Sequence, residues 1–513
     1  MISKINSITV NGLNSDLIEV EVDINNGLPC FKIVGLPDQG VQESKERLRS
    51  AIKSIGNKLP MTRITVNLAP ADIRKTGPSF DLPIAIGILL HGGFVADTFV
   101  KNSIFIGELS LDGRLRKVAS VLPATIGAKE KGFKRIFVPK SNSKEASIMP
   151  GIDVIPVDNL LEVIEMLNGT RELNIKKTLD FLSLGKDELG INSNFDFKYV
   201  LGQEHAKRAL EIAASGGHNI VMDGPPGSGK TMLGKAFSTI LPDLTIDEAI
   251  EISKLYSISG LLNAKNPIIT KRPFRTVHHT ASSVSIVGGG RNARPGEISL
   301  SHKGVLFLDE ILEFEKSVLE VLRQPLEDGT ITINRVNASY TYPAQFIMVG
   351  SMNPCPCGYL TDPDKDCICS HKQVANYRGK LSGPLIDRVD MFIEVPKVEI
   401  EKFKVGEDYT GGEHSINIKM RVEKSRIMQL KRFDGTKLTF NSEMGTKEIN
   451  KYCQLNDDTH SLLKQAINNM NLSARAYFRI LKLARTIADL EGIKNIETKH
   501  ILEALSFRKK EES

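Results

Sequence analysis

The 513-residue sequence has no long hydrophobic run. Its most apolar segment, Leu82 to Ala96, is too short to cross a bilayer and is broken by His91, Gly92 and Gly93. The opening residues, MISKINSITVNGLNSD, carry no apolar stretch of the kind a signal peptide needs. A soluble, cytoplasmic protein with no membrane partner is therefore expected. The sequence also lacks internal repeats and low-complexity tracts, which argues against a solenoid or a disordered tail. Cysteine is scarce: there are six, poor disulfide candidates in such a chain, and four of them crowd into fifteen positions, a pattern that points to a metal. Cys30 and Cys453 stand alone and read as packing residues.

What is present is globular. Hydrophobic content of 41% and charged content of 25% are ordinary, and the length exceeds a single core, so two to four domains are expected. A net charge of +6 is compatible with a nucleic-acid partner, though a solvated surface explains it equally well. Over residues 1–170, short alternating strands (LIEVEVDI, TRITVNLAP, RIFVPK, DVIPVD) mix with helical stretches such as VQESKERLRSAIKSIG, giving an α+β domain. Residues 171–197 are polar, lysine-rich and glycine-broken, and read as a linker. From 198 to 396 buried strands alternate with helices, the pattern of a parallel α/β sheet. Over 397–513 a glycine-bearing loop, FKVGEDYTGGEHS, precedes an almost wholly helical segment.

The chemistry begins at NIVMDGPPGSGKTMLGKAF. A short apolar strand leads into Gly224, Pro225, Pro226, Gly227, Ser228, Gly229, Lys230 and Thr231, and a helical pattern follows. This is a P-loop in its confirming context. Its backbone N–H groups can turn inward around phosphate oxygens, and the helix start adds partial positive charge. Lys230 can reach the β- and γ-phosphates, and the Thr231 hydroxyl can ligate Mg²⁺. Downstream, GVLFLDE is a buried strand ending in Asp309, placed to hold Mg²⁺ through water, and Glu310, placed to activate the attacking water. Either acid alone could be a helix N-cap; paired with the P-loop, they read as catalytic. QFIMVGSMN ends in Asn353, an uncharged group suited to positioning that water. The residues specify an NTPase.

Taken with GPLIDRVD and the late LSARAYFRILKLARTIADL, this order of motifs resembles the AAA+ ATPases, and among them the magnesium-chelatase-like group. Together with the N-terminal domain it is similar to the ComM/YifB family of competence-associated ATPases. The resemblance implies a ring, most simply a hexamer, with ATP between subunits and a C-terminal helical lid. It makes Arg388 the arginine finger reaching a neighbour's γ-phosphate and Arg475 the second sensor. The alternatives are a salt bridge from Arg388 to Asp387 or Asp390, and a solvated Arg475 with Arg479 and Arg485 as competitors. The resemblance also implies pore-facing loops. HHTASSVSIVGGGRNARPGEISLSHKG carries Arg291 and Arg294 near a triple-glycine tip, and GTITINRVNASYTYPAQ alternates as a hairpin with Arg335 and Asn337 near its turn. Basic tips around a pore suit a phosphate backbone, although single arginines can equally be solvated surface. The family function implied is branch migration on single-stranded and branched DNA, in natural transformation or homologous recombination alongside other recombination proteins.

In NPCPCGYLTDPDKDCICSH, Cys355-x-Cys357 and Cys367-x-Cys369 are separated by nine residues, a set suited to tetrahedral zinc with His371 as a possible substitute ligand. Unliganded reduced thiols or a redox role are the alternatives. In KTGPSFDLPIAIGIL, Ser79 resembles the nucleophile of the Lon-type Ser-Lys proteases, and GELSLDGRLRKVASVLPATIGAKEKG tracks the segment that carries their lysine. Leu122 stands where that lysine belongs, and Lys129 and Lys131 fall about two helical turns or more beyond it. Leucine cannot accept a proton, so an inactive Lon-like domain serving as scaffold or substrate guide is expected, with Ser79 a turn or capping residue. The rival functions are a motor subunit driving metal insertion into a porphyrin, a Lon-like protease, and a non-enzymatic AAA+ scaffold.

Overall fold

Period-two burial along the N-terminal strands builds a seven-stranded sheet in the computed structural model, which describes residues 2–178, 195–263, 266–290, 293–335, 338–397, 412–470 and 472–508. The strands are β1 (Ser3–Asn11), β2 (Asn14–Asn25), β3 (Cys30–Val34), β4 (Arg63–Ala69), β5 (Ser103–Phe105), β8 (Arg135–Pro139) and β9 (Asp153–Val157); β6 (Glu108–Leu109) and β7 (Leu115–Arg116) form a separate short pair. Their order is β3-β4-β2-β1-β5-β8-β9, antiparallel at β1/β2 and β2/β4 and parallel elsewhere. Successive side chains leave a strand on opposite faces. Phe105, Phe137 and Ile155 accordingly join one apolar cluster with Leu82, Ile86 and Leu89 of the helix Asp81–His91. Their neighbours Ile104, Ile136 and Val154 join another with Val121, Ala124 and Ala128 of the helix Val121–Glu130.

Ser79 lies in the 3₁₀ turn Pro78–Phe80, where its carbonyl accepts the Gly107 amide at 2.9 Å. The helix that follows is capped at Phe80 without a side-chain hydrogen bond, so Ser79 is a turn residue and does not cap. Leu122 is fully buried in the first turn of Val121–Glu130. The lysine this region does bury is Lys75: it is 0% exposed, its ammonium donates to the Pro70 carbonyl, and burial lowers its pKa.

The chain forms two compact units, Met1–Lys186 with Thr245–Thr270, and Asp187–Leu244 with Lys271–Ser513. Residues 245–270, inside the range expected to be one α/β core, thus belong with the N-terminal sheet. Their helix, Ile246–Ile258, opens on a capping box in which Thr245 Oγ1 accepts the Glu248 amide (3.2 Å) and Glu248 accepts the Thr245 amide (3.1 Å). It packs on Val121–Glu130. Ser257 Oγ donates to Glu145 Oε1 at 2.5 Å, and Lys117 Nζ donates to the Leu262 carbonyl at 2.9 Å.

The second unit is built on the parallel sheet that the alternating buried strands predict. Its strands are β10 (Ile220–Asp223), β11 (Phe274–Val277), β14 (Val305–Leu308), β17 (Ile347–Met352) and β18 (Met391–Glu394), in the order β11-β14-β17-β10-β18 and all parallel. Two short ribbons interrupt it: β12 (Gly288–Gly289) with β13 (Arg294–Pro295), and the hairpin β15 (Thr330–Arg335) with β16 (Ala338–Pro343). The apolar core of the sheet continues into the helices Ser415–Arg432, Asp457–Asn469, Ala474–Leu490 and Thr498–Ser506. Among these helices Asp489 is fully buried, accepting from Arg432 Nη1 (2.7 Å), Asn441 Nδ2 (2.8 Å) and Arg485 Nε (3.1 Å). Most of the expected linker, the loop 398–411, Arg291, Asn337 and the side chain of Arg335 lie outside the described residues. No helix among the described residues is long and apolar enough to cross a membrane.

Candidate nucleotide site

Parallel strands end on one edge of their sheet, and the motif residues gather there. β10 runs into the P-loop at Gly224, where a Cβ would stand 2.2 Å from the Val395 carbonyl oxygen, so only glycine fits. Gly227 and Gly229 adopt φ of 78° and 88°, which turns the loop into the helix Lys230–Phe237. Lys230 Nζ donates to the carbonyls of Gly224 (2.6 Å) and Pro225 (2.8 Å) and to Asn353 Oδ1 (3.3 Å). Burial lowers its pKa, opposed by the charges of Asp223, Asp309 and Glu310. A poorly hydrated ammonium in a ring of acceptors is a strong donor for an incoming phosphate.

From the helix that follows the loop, Thr231 Oγ1 donates at 3.1 Å to Asp309 Oδ2, just past the end of β14. Ser351 bridges the acid pair: its hydroxyl donates to Asp309 Oδ1 and accepts the Glu310 amide at 3.1 Å. Glu310 is held at φ 53°, in the left-handed region where a non-glycine residue is strained. Its Oε2 lies 3.4 Å from His279 Nδ1, just beyond the end of β11, and the His279 ring packs 4.1 Å from that of His278. Ser351 and His279 escape sequence reasoning because their roles depend on the register β11/β14/β17, which no local pattern encodes. The one available signal was the HH pair directly after β11.

The four cysteines meet as their spacing predicts. Cys355 Sγ is 3.3 Å from Cys357 Sγ and 3.6 Å from Cys367 Sγ, Cys357 and Cys367 are 3.6 Å apart, and the sulfurs of all four, Cys369 included, lie within 4.8 Å of one another. Zinc–sulfur bonds of about 2.3 Å in a tetrahedron set the sulfurs roughly 3.8 Å apart, so the cluster could hold that ion. The Tyr359 amide, with help from the other thiols, pulls the Cys357 thiol down to about 6, toward the thiolate a metal binds. His371 instead opens the helix His371–Arg378 and is outside the cluster.

Residues 196–403 match the family model for magnesium chelatase, subunit ChlI; residues 20–142 match that for subunit ChlI of Mg-chelatase, and residues 412–508 that for the ChlI C-terminal region. Competence protein ComM of Haemophilus influenzae is 42% identical over 498 residues, covering 97% of this chain and 95% of that protein. YifB of Escherichia coli is 39% identical over 497 residues, with 97% and 95% covered. The chain belongs to the ComM/YifB family of magnesium-chelatase-like AAA+ proteins. A more distant relative, the magnesium-chelatase subunit ChlI of Euglena gracilis, is 25% identical over 236 residues, 41% of this chain and 67% of its own. Membership in an AAA+ family implies ATP and Mg²⁺. The residues fit both: a desolvated lysine in a glycine loop for the phosphates, and the paired Thr231 hydroxyl and Asp309 carboxylate for the ion.

In this family member the expected arginine finger and second sensor share one cavity of about 180 Å³ whose lining includes Glu327, Asp387, Arg388 and Arg475 and no P-loop residue. Arg388 is 9% exposed; it pairs with Glu327, not with Asp387 or Asp390, and donates to the Pro384 carbonyl at 2.7 Å. The Arg475 side chain is 62% exposed, 3.7 Å from Asp387. Its competitors are occupied elsewhere, Arg479 on buried Asp390 and Arg485 on Asp489. Arg294 is exposed on the β12/β13 ribbon.

Proposed function

We propose that this protein is an ATP-driven ring motor, hexameric, that moves on DNA as a branch-migration helicase in natural transformation or homologous recombination. The observation that carries the ATPase reading is the convergence of Lys230, Thr231, Asp309, Glu310 and Asn353 on one edge of a parallel sheet. Lys230 and the amides of Gly227 to Thr231 bind the β- and γ-phosphates. Thr231 and Asp309 would hold Mg²⁺, which when bound would supply charge neutralisation at the phosphates. Glu310 takes the proton of the water that attacks the γ-phosphorus as ADP leaves, Asn353 orients that water, His279 stands beside the Glu310 carboxylate, and Ser351 holds the Glu310 backbone amide. Arg388 and Arg475 act on a neighbour's nucleotide, a role favoured by their shared cavity lying apart from the chain's own P-loop. On engagement Arg388 exchanges Glu327 for phosphate oxygen.

Residues 1–170, joined by 245–270, form a Lon-like domain without the Ser-Lys pair, 171–197 a linker, the rest of 198–396 the ATPase core and 397–513 the helical lid, with a structural zinc on the four cysteines. Arg294, with Arg291 and Arg335, grips the DNA backbone, through single-stranded or branched contacts that do not depend on base identity. A chelatase motor subunit is the second reading, favoured by the likeness to ChlI; likeness to ComM over nearly the whole chain weighs more. ATPase assays with single-stranded, duplex and four-way-junction DNA, joined to strand-displacement and junction-migration assays, decide between them. Turnover stimulated by DNA together with junction migration is expected; turnover indifferent to DNA with no migration would sink the DNA motor.

A further inference from the structure

The loop from Cys355 to Cys369 buries little that could order it. Most of residues 360–370 are exposed, and Ile368 is 88% exposed, so Cys355, itself fully buried, is nearly the whole apolar anchor. Yet the loop is folded tightly against the nucleotide site. The Gly358 amide closes a turn on the Cys355 carbonyl at 3.0 Å. Gly358 has φ 85°, and a Cβ there would stand 2.7 Å from Cγ and 2.8 Å from Cδ of Pro226, in the middle of the phosphate loop. Two residues before Cys355, Asn353 meets the Lys230 ammonium. Behind the cysteines, Arg378 Nε donates to the Pro354 carbonyl at 3.2 Å. On the other side, Lys397 Nζ reaches Asp364 at 2.6 Å, just past Val395, whose amide is bonded to Asp223 at 2.7 Å and whose carbonyl abuts Gly224.

We propose that zinc held by Cys355, Cys357, Cys367 and Cys369 sets the shape of the phosphate loop by pressing the Gly358 turn against Pro226, so that nucleotide affinity depends on the metal. The proposal rests on the zinc and ATPase readings above. A loop of this composition gains its order from the metal–thiolate bonds, since a small metal knuckle folds only when loaded. Released thiols free the Gly358 turn, Pro226 loses its backing, and the amides that cradle phosphate lose their common direction. Asn353, tethered to the same turn, shifts away from Lys230.

The test uses the full chain purified under reducing, chelator-free conditions. Elemental analysis should give one zinc per chain, and a fluorescent ATP analogue with Mg²⁺ should bind. A zinc-selective chelator that leaves Mg²⁺ in place should weaken the analogue about 10- to 100-fold, the range for removing an outer support of a bound group. Stoichiometric zinc should restore it. A second variant keeps all four thiols: Gly358→Ala should retain one zinc and still lose affinity, because its methyl displaces Pro226. This variant decides the matter if zinc removal unfolds the chain. Zinc present, with affinity within about twofold after its removal or in Gly358→Ala, overturns the coupling and leaves the zinc reading intact. Absence of zinc overturns the metal reading and the coupling with it. Failure of the zinc-loaded protein to bind the analogue at all overturns the ATPase reading.

Discussion

Glu310 is bent into a left-handed backbone, its amide held by Ser351 of β17 and its carboxylate beside His279, just past the end of β11. Backbone strain concentrates where a side chain must be aimed, and here it aims the proposed base. Glu310→Gln keeps shape and hydrogen bonding but cannot take a proton, so nucleotide binding should persist while turnover falls about 10²–10⁴-fold, measured by analogue binding beside phosphate release. Persistent turnover would remove Glu310 from its role. The legible part of this site was the part written contiguously: Gly224 to Thr231 and Asp309–Glu310 each declare themselves because phosphate and Mg²⁺ recognition is local to one loop or one strand end. Ser351 and His279 were hidden, since an isolated serine or histidine has no pattern until neighbouring strands bring it to the acid pair. The Glu327 partner of Arg388 was hidden for the same reason, being 61 residues away in sequence.

At the scale of elements, polar ties between helices and sheet carry distinct signatures. Asp390 is buried, and burial alone would raise its pKa; Arg479, His218 and the Asn219 amide reverse this and hold it well below the usual carboxylate range. A carboxylate depressed in the folded state stabilises above its unfolded value of about 3.9 and loses that contribution as pH falls below it. Asp390→Asn should therefore cost about 3–5 kcal/mol near neutral pH, by urea unfolding, and cost progressively less below about pH 4. A penalty unchanged with pH would mean that the charge is not the source. For the helix Ile246–Ile258, Thr245→Ala removes one half of the capping box and should cost about 1 kcal/mol, read as a lowered midpoint of unfolding. The parallel sheet was readable because buried strands of a doubly covered sheet are continuous apolar runs. The destination of this one helix was not: its amphipathic pattern serves any apolar partner, and nothing in it favours the N-terminal sheet over the β10 sheet.

At the scale of the whole molecule, the proposed sharing of the active site between subunits makes a mixing experiment decisive. Arg388→Ala chains keep a working P-loop, and Lys230→Ala chains keep a working arginine. Each alone should be nearly inactive, and an equal mixture allowed to reassemble should regain roughly a quarter of parental turnover, the share of junctions pairing two intact halves. No recovery from fully mixed rings would place Arg388 in service of its own chain, or outside catalysis.

The excursion of Thr245–Thr270 sets a rule for dissecting this protein. A truncation at the linker, the obvious cut, would leave behind a helix whose Ile252 and Leu255 were buried by residues now deleted, and the remnant should be sticky and prone to precipitate. Removing the first unit cleanly requires a second incision, splicing Leu244 to Lys271 across a short artificial bridge. The N-terminal domain is thus a graft with two roots, and only an excision that takes both should yield a well-behaved isolated second unit.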